Sequence, residues 1–178
     1  DDFAPVADCF HVDSGLSYDG APATTITGLD HLEGETAQVV ADGMVLPGRL
    51  VEAGAISLTY PASKVHVGLG YEASFAPTMP DAGAPDGSAA GRRKRIQRAV
   101  LDGMNATQCW VGPDRDHLLL LDGVTTRRLD QQSDAFTGRV QTIPDTAYDD
   151  EYRFMVVHTL PAPFQVRAIV MQMESAQG

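Results

Sequence analysis

Five histidines, His11, His31, His66, His117 and His158, are the side chains of this sequence best suited to holding zinc, and each stands alone in a different predicted element. No two of them have the close helical or turn spacing of a zinc site, so ordinary hydrogen-bonded histidines are expected. Carboxylates gather at Asp30, Glu33 and Glu35, at Asp114 and Asp116, and at Asp149, Asp150 and Glu151. Two could flank a glycosidic bond and three with carbonyls could hold calcium, but solvated turns account for them more simply. Asp81, Gly83, Asp86 and Gly87 resemble a calcium loop only in part, because the alternating Asp/Asn ligands and terminal Glu of an EF-hand are missing. Ser14, Ser17, Ser57 and Ser88 lie outside any GxSxG elbow, and no glycine-rich loop carries the Lys-Ser/Thr of a phosphate binder. Asn105-Ala106-Thr107 is formally a glycosylation acceptor that is expected to go unused. The chain is therefore expected to be no enzyme, with no catalytic residue, cofactor or metal.

The remaining concentration of charge is Arg92-Arg93-Lys94-Arg95, with Arg98 beyond it. In an acidic chain this is a candidate subunit-interface patch or a contact with passing DNA. The alternative is a gatekeeper cluster that keeps an edge strand soluble. Trp110, the only tryptophan, is expected in the core rather than as a sugar-stacking platform. Cys9 and Cys109 belong to no CxxC pair and are read as free thiols.

The elements that must position these groups read as strands. At 178 residues and 43% hydrophobic, the chain can close a core, as one ordinary domain or two small ones. A net charge of -11 and a pI near 4.6 argue against general nucleic-acid binding, which rests on Lys and Arg. No charged n-region precedes an apolar stretch and cleavage site, and no run is long enough to span a bilayer, so neither export nor membrane insertion is expected. The sequence opens on Asp1 rather than Met, which is compatible with a missing upstream part.

Thr27 to Tyr71 reads as a meander of short strands cut by tight turns, with Asp42-Gly43 the strongest hairpin signal. Strands are expected at Thr24 to Thr27, Thr36 to Ala41, Arg49 to Glu52, Ala55 to Tyr60, Lys64 to Phe75, Phe136 to Thr142, Tyr152 to Thr159 and Phe164 to Glu174. Ile56, Leu58 and Tyr60 would share one strand face, as would Val65, Val67 and Leu69. Pro47-Gly48, Ala53-Gly54 and Leu160-Pro161-Ala162-Pro163 read as turns. Lys94 to Met104 fits a helix or a strand, with Asp102-Gly103 favouring the strand, and Leu118 to Leu121 reads as a buried strand. The fold expected is all-β: one or two small β-sandwich or barrel-like units built from antiparallel meanders. Residues 1–76 would form one unit and 92–178 the other, joined by a Pro/Gly/Ala-rich linker or exposed loop over 77–91.

Several stretches together resemble the C-terminal part of tail proteins of tailed bacteriophages, especially the nozzle or tail-tubular subunits of short-tailed phages. They are Phe10-His11-Val12-Asp13-Ser14-Gly15-Leu16, DHLEGETAQVVADG from Asp30 to Gly43, ASKVHVGLGY from Ala62 to Tyr71, GRRKRI from Gly91 to Ile96, and Val170-Met171-Gln172-Met173-Glu174. The chain is shorter than whole tail subunits, and Gln108 to Asp130 has no counterpart in the resemblance. The resemblance implies a noncatalytic structural virion protein whose β modules pack in a ring around the DNA-exit channel, assembled in the host cytoplasm. It also implies that Lys94 to Met104 is strand. Its partners would be copies of itself and neighbouring tail or adaptor proteins, with DNA passing and not specifically bound, and no membrane anchor. The alternatives are a carbohydrate- or receptor-binding β module of a phage tail, and a glycan-cleaving enzyme with a carboxylate pair in a groove.

Overall fold

The computed structural model describes residues 4–78, 93–121, 135–144, 147–149 and 153–175. Among them there is no α-helix; three antiparallel sheets of three or four strands carry the fold, as the alternating apolar pattern predicts. The chain divides into two compact units. One comprises Asp1–Glu72 with Arg127–Ala135 and Thr159–Pro163; the other comprises Ala73–Thr126, Phe136–His158 and Phe164–Gly178.

The first unit is built on β1 (Asp13–Thr27), β2 (Thr36–Ala41), β3 (Met44–Leu50) and β4 (Ala55–Leu69), in the order β1-β4-β2-β3. Asp42-Gly43 closes β2 onto β3 with Ala41 opposite Met44, and both turn residues have positive φ, +48° and +83°, as a two-residue type I′ hairpin requires. Asp42 does further work: its carboxylate accepts hydrogen bonds from the Ser63 and Lys64 amides of β4, at 3.2 and 2.8 Å. Ala53-Gly54 makes a second such turn, with φ of +52° and +66°, its amides held by the two oxygens of Glu33 at 2.9 and 2.7 Å. One sheet face buries Val39, Ile56, Leu58, Val65 and Val67 with Ile26, Leu29 and Val51 from flanking segments. The other face of β4 is covered around His66 by residues 4–12, where Phe10 stands edge-on to the imidazole at 5.6 Å. Gly15 and Gly68 let β1 and β4 approach beneath Val12: a Cβ on Gly68 would lie 2.6 Å from the Gly15 Cα.

The second unit packs two sheets over one core. The first joins β5 (Ala73–Phe75), β7 (Cys109–Gly112), β8 (Leu119–Leu121) and β10 (Met155–His158) in the order β5-β10-β7-β8. The second joins β6 (Lys94–Ala106), β9 (Phe136–Thr142) and β11 (Gln165–Ser175) in the order β11-β6-β9. Ile96 and Leu101 from β6 meet Val111 and Val156 from the other sheet, with Phe136, Ile169 and Met171 half-buried around them. This two-sheet packing is a small sandwich.

Several sequence expectations are corrected. Pro47-Gly48 is no turn: it lies inside β3, where the pairing with β2 shifts register between Ala37 and Val39. β3 is an edge strand, and a proline without an amide proton is tolerated there at a bulge. Ala55 to Tyr60 and the start of Lys64 to Phe75 are one strand, β4, which passes through Pro61 where its register with β1 is irregular. Asp13 to Ala23 is strand although its Gly, Pro and Asp content masked it, because it pairs along β4. Lys94 to Met104 is strand as expected, within β6. The expected linker over 77–91 lies outside the described residues beyond Thr78.

Candidate functional site

The basic cluster does not form one patch. Arg92 lies outside the described residues, and alternation along β6 turns Lys94 away from the face that Arg95 and Arg98 share. Lys94 turns inward to 5% exposure, while its backbone pairs with Asp149. Arg93 donates to the Tyr148 carbonyl at 3.2 Å. Arg95 binds Glu174 at 2.7 Å across the β6–β11 ladder, with its guanidinium 4.9 Å from the Tyr148 ring centroid. Arg98 reaches Gln141 on β9 at 3.4 Å.

Two arginines that the sequence did not single out join Arg98 on the outer face of this sheet. The register sets Asp102 opposite Arg139 on β9 and Ala168 on β11. The Asp102 carboxylate accepts from Arg167 at 2.6 Å, with Arg139 at 3.8 Å. Arg139 keeps 78% of its side chain exposed, and Val170, in the next cross-strand row, is 62% exposed. Arg95, Arg98, Arg139 and Arg167 thus share a face on which, among the described residues, the carboxylates of Asp102 and Glu174 pair with them. No local motif could reveal this face, because its members come from three strands. Only β6 carried a readable signal.

Glu174 is held below the ordinary glutamate range by hydrogen bonds from Gln97, Tyr148 and Arg95, in that order of weight. The arginine is correspondingly held in its charged form by Glu174.

Ser17 and His66, a pair that sequence reading did not connect, stand together as a hydroxyl and an imidazole. In the neutral ring Nε2–H donates to the Ala7 carbonyl at 2.9 Å, leaving Nδ1 to accept from the Ser17 hydroxyl at 2.7 Å. His66 is 5% exposed, so the pair ties β1 and β4 to the covering segment. The other described histidines also have backbone or side-chain partners: His31 donates to the Ser14 carbonyl at 2.7 Å, His158 to that of Gln108 at 3.0 Å, and His117 pairs with Asp114 at 2.8 Å. Among the described residues no group of three or more His, Cys, Asp and Glu stands close enough to hold a metal ion.

Two members of the acidic clusters cap turns. Glu33 caps Ala53-Gly54, and Asp114 accepts from the Asp116 and His117 amides at 2.9 and 3.0 Å. Asp81, Asp86, Ser88, Asp150 and Glu151 lie outside the described residues. Both cysteines are free, and burial pushes the Cys109 thiol up to about 12.

Trp110 is corrected from core to surface. β7 buries Cys109 and Val111, so the indole between them faces the opposite side, beside Leu120, and is 36% exposed. A groove of ≈ 540 Å³ opens between β5 and β11, lined by Phe75, Phe164, Val166, Ile169 and Met171. Its lining is mainly apolar, with Arg167 and Ser74 as its polar members. Among the described residues no helix is long and apolar enough to cross a membrane. No family model matches this chain, and no curated protein matches it.

Proposed function

We propose that this chain is a structural subunit of a phage tail, a nozzle-like β component that closes with copies of itself into a ring around the DNA-exit channel. The observation that carries the reading is the three-stranded sheet, whose eleven-residue edge strand β11 borders an outer face bearing four arginines and an exposed Val170. Long edges and charged, part-apolar faces are what one subunit offers another in a closed assembly. An acidic net charge suits a wall along which DNA slides, because it gives the phosphates no continuous basic track. The residue stretches that resemble tail subunits point the same way.

The test is electron microscopy and mass photometry of the purified chain, followed by cryo-electron microscopy of the particle that contains it. Rings enclosing a channel are expected. An isolated peripheral module with a ligand-filled groove would overturn the reading. The exposed Trp110 supports a second reading, a carbohydrate-binding module, because an accessible indole can stack on a sugar face. Glycan-array binding lost in Trp110→Ala, without ring formation, would favour it.

A further inference from the structure

Charge is divided unevenly along the chain. Residues 1–72 hold eleven Asp and Glu against two Lys and Arg, while 73–178 hold thirteen against eleven. No Lys or Arg occurs before Arg49. Within the first unit, exposed Glu35 and Glu52 lie beside Asp30 and Glu33 on segments fixed by backbone hydrogen bonds: Val51 N–H to the Glu35 carbonyl at 2.9 Å and Leu29 N–H to the Gly54 carbonyl at 2.9 Å. In the second unit, the arginine face carries the exposed Val170 on strands in fixed register.

We infer that the arginine face of the three-stranded sheet docks onto the acidic first unit of a second copy, so that copies join head to tail. The inference rests on the ring reading above and names the surfaces that would close the ring. A contact between two different surfaces of one chain is heterologous, and it builds a ring when its rotation closes. Opposite potentials on the two surfaces speed encounter and fix orientation, and Val170 supplies an apolar contact that becomes dry on docking. The same complementarity disfavours face-to-face pairing, which would set arginine against arginine and glutamate against glutamate. Arg95 and Arg167 are already oriented by Glu174 and Asp102, so little side-chain freedom remains to be lost on docking.

The experiment is mass photometry of the full chain across protein concentration and NaCl, on wild type and two double variants: Arg98→Glu with Arg139→Glu, and Glu35→Lys with Glu52→Lys. All four positions are exposed, and circular dichroism confirms folding. Wild type is expected to associate, about tenfold more weakly at 300 mM salt than at 50 mM. Each variant alone is expected to lose association by about a hundredfold, and an equimolar mixture to regain it, since the introduced glutamates of one variant then meet the introduced lysines of the other, whose intact arginine face meets the intact acids of the first. Wild-type rings with the arginine variant unaffected would overturn this inference and leave the ring reading standing. A wild type that stays monomeric under every condition would sink both. Retention on duplex DNA that the arginine variant loses, without association between copies, would overturn the inference in favour of phosphate contact.

Discussion

Single residues in this chain carry conformations that their type does not favour, and those positions are where substitution is most informative. Ala53 sits at φ +52° in the turn capped by Glu33, a left-handed conformation that costs an alanine about 1 kcal/mol. Asparagine tolerates that region, so Ala53→Asn is expected to raise unfolding stability by about 0.5–1 kcal/mol in urea titration. A loss would mean that the added side chain disturbs the Glu33 cap. The two cysteines give a second test at this scale. Cys109 is buried with its thiol pushed up to about 12, whereas Cys9 is raised less, by partial burial and then by Asp8. At pH 8 the thiolate is the reactive species, so Ellman's reagent should titrate Cys9 in the folded chain and Cys109 only after unfolding. Fast reaction of both would show that β7 opens readily.

Elements were legible where the alternating pattern and the turn chemistry agreed. Thr36 to Ala41 and Phe136 to Thr142 were expected as strands with the bounds found, and Asp42-Gly43 forms the expected hairpin because no side chain but a short polar one and glycine suits that pair of positive φ values. Pro47-Gly48 misled because the turn signal is local, while its place on an edge strand is decided by which strand lies beside it. Asp13 to Ala23 was hidden for the converse reason: poor strand formers are held extended by pairing with β4. Of the arginine face, the sequence showed the β6 members; Arg139 and Arg167 became visible only through register. Register also makes the β6–β11 ladder sensitive to acid. Glu174 has its folded pKa lowered by Gln97, Tyr148 and Arg95, so its contribution is complete above the ordinary glutamate value and lost as pH falls through the lower folded one. Thermal melts of wild type should therefore fall below about pH 5 toward those of Glu174→Gln, and the two should converge in stronger acid. Parallel curves would assign the loss to other carboxylates.

At the scale of the whole molecule, salt should act on stability and on association with opposite signs. Eleven acidic residues against two basic ones in residues 1–72 leave the chain compressing like charge when it folds. The screening length falls from about 30 Å at 0.01 M salt to about 8 Å at 0.15 M, which weakens repulsion among the many dispersed carboxylates. It weakens the close pairs Lys64–Asp8 and Arg167–Asp102 less, because such contacts lie well inside that length. The melting temperature, measured at a dilution where copies stay apart, is therefore expected to rise by a few degrees over that range, equally in NaCl and KCl. Head-to-tail association, driven by opposite charge across an interface, should weaken over the same range. If both properties fell together, attraction within each copy would outweigh repulsion, and the acidic surface would be a paired structural feature and not a charge left for a neighbour. Opposite signs would fit an acidic coat kept at a cost in stability because its use lies in assembly.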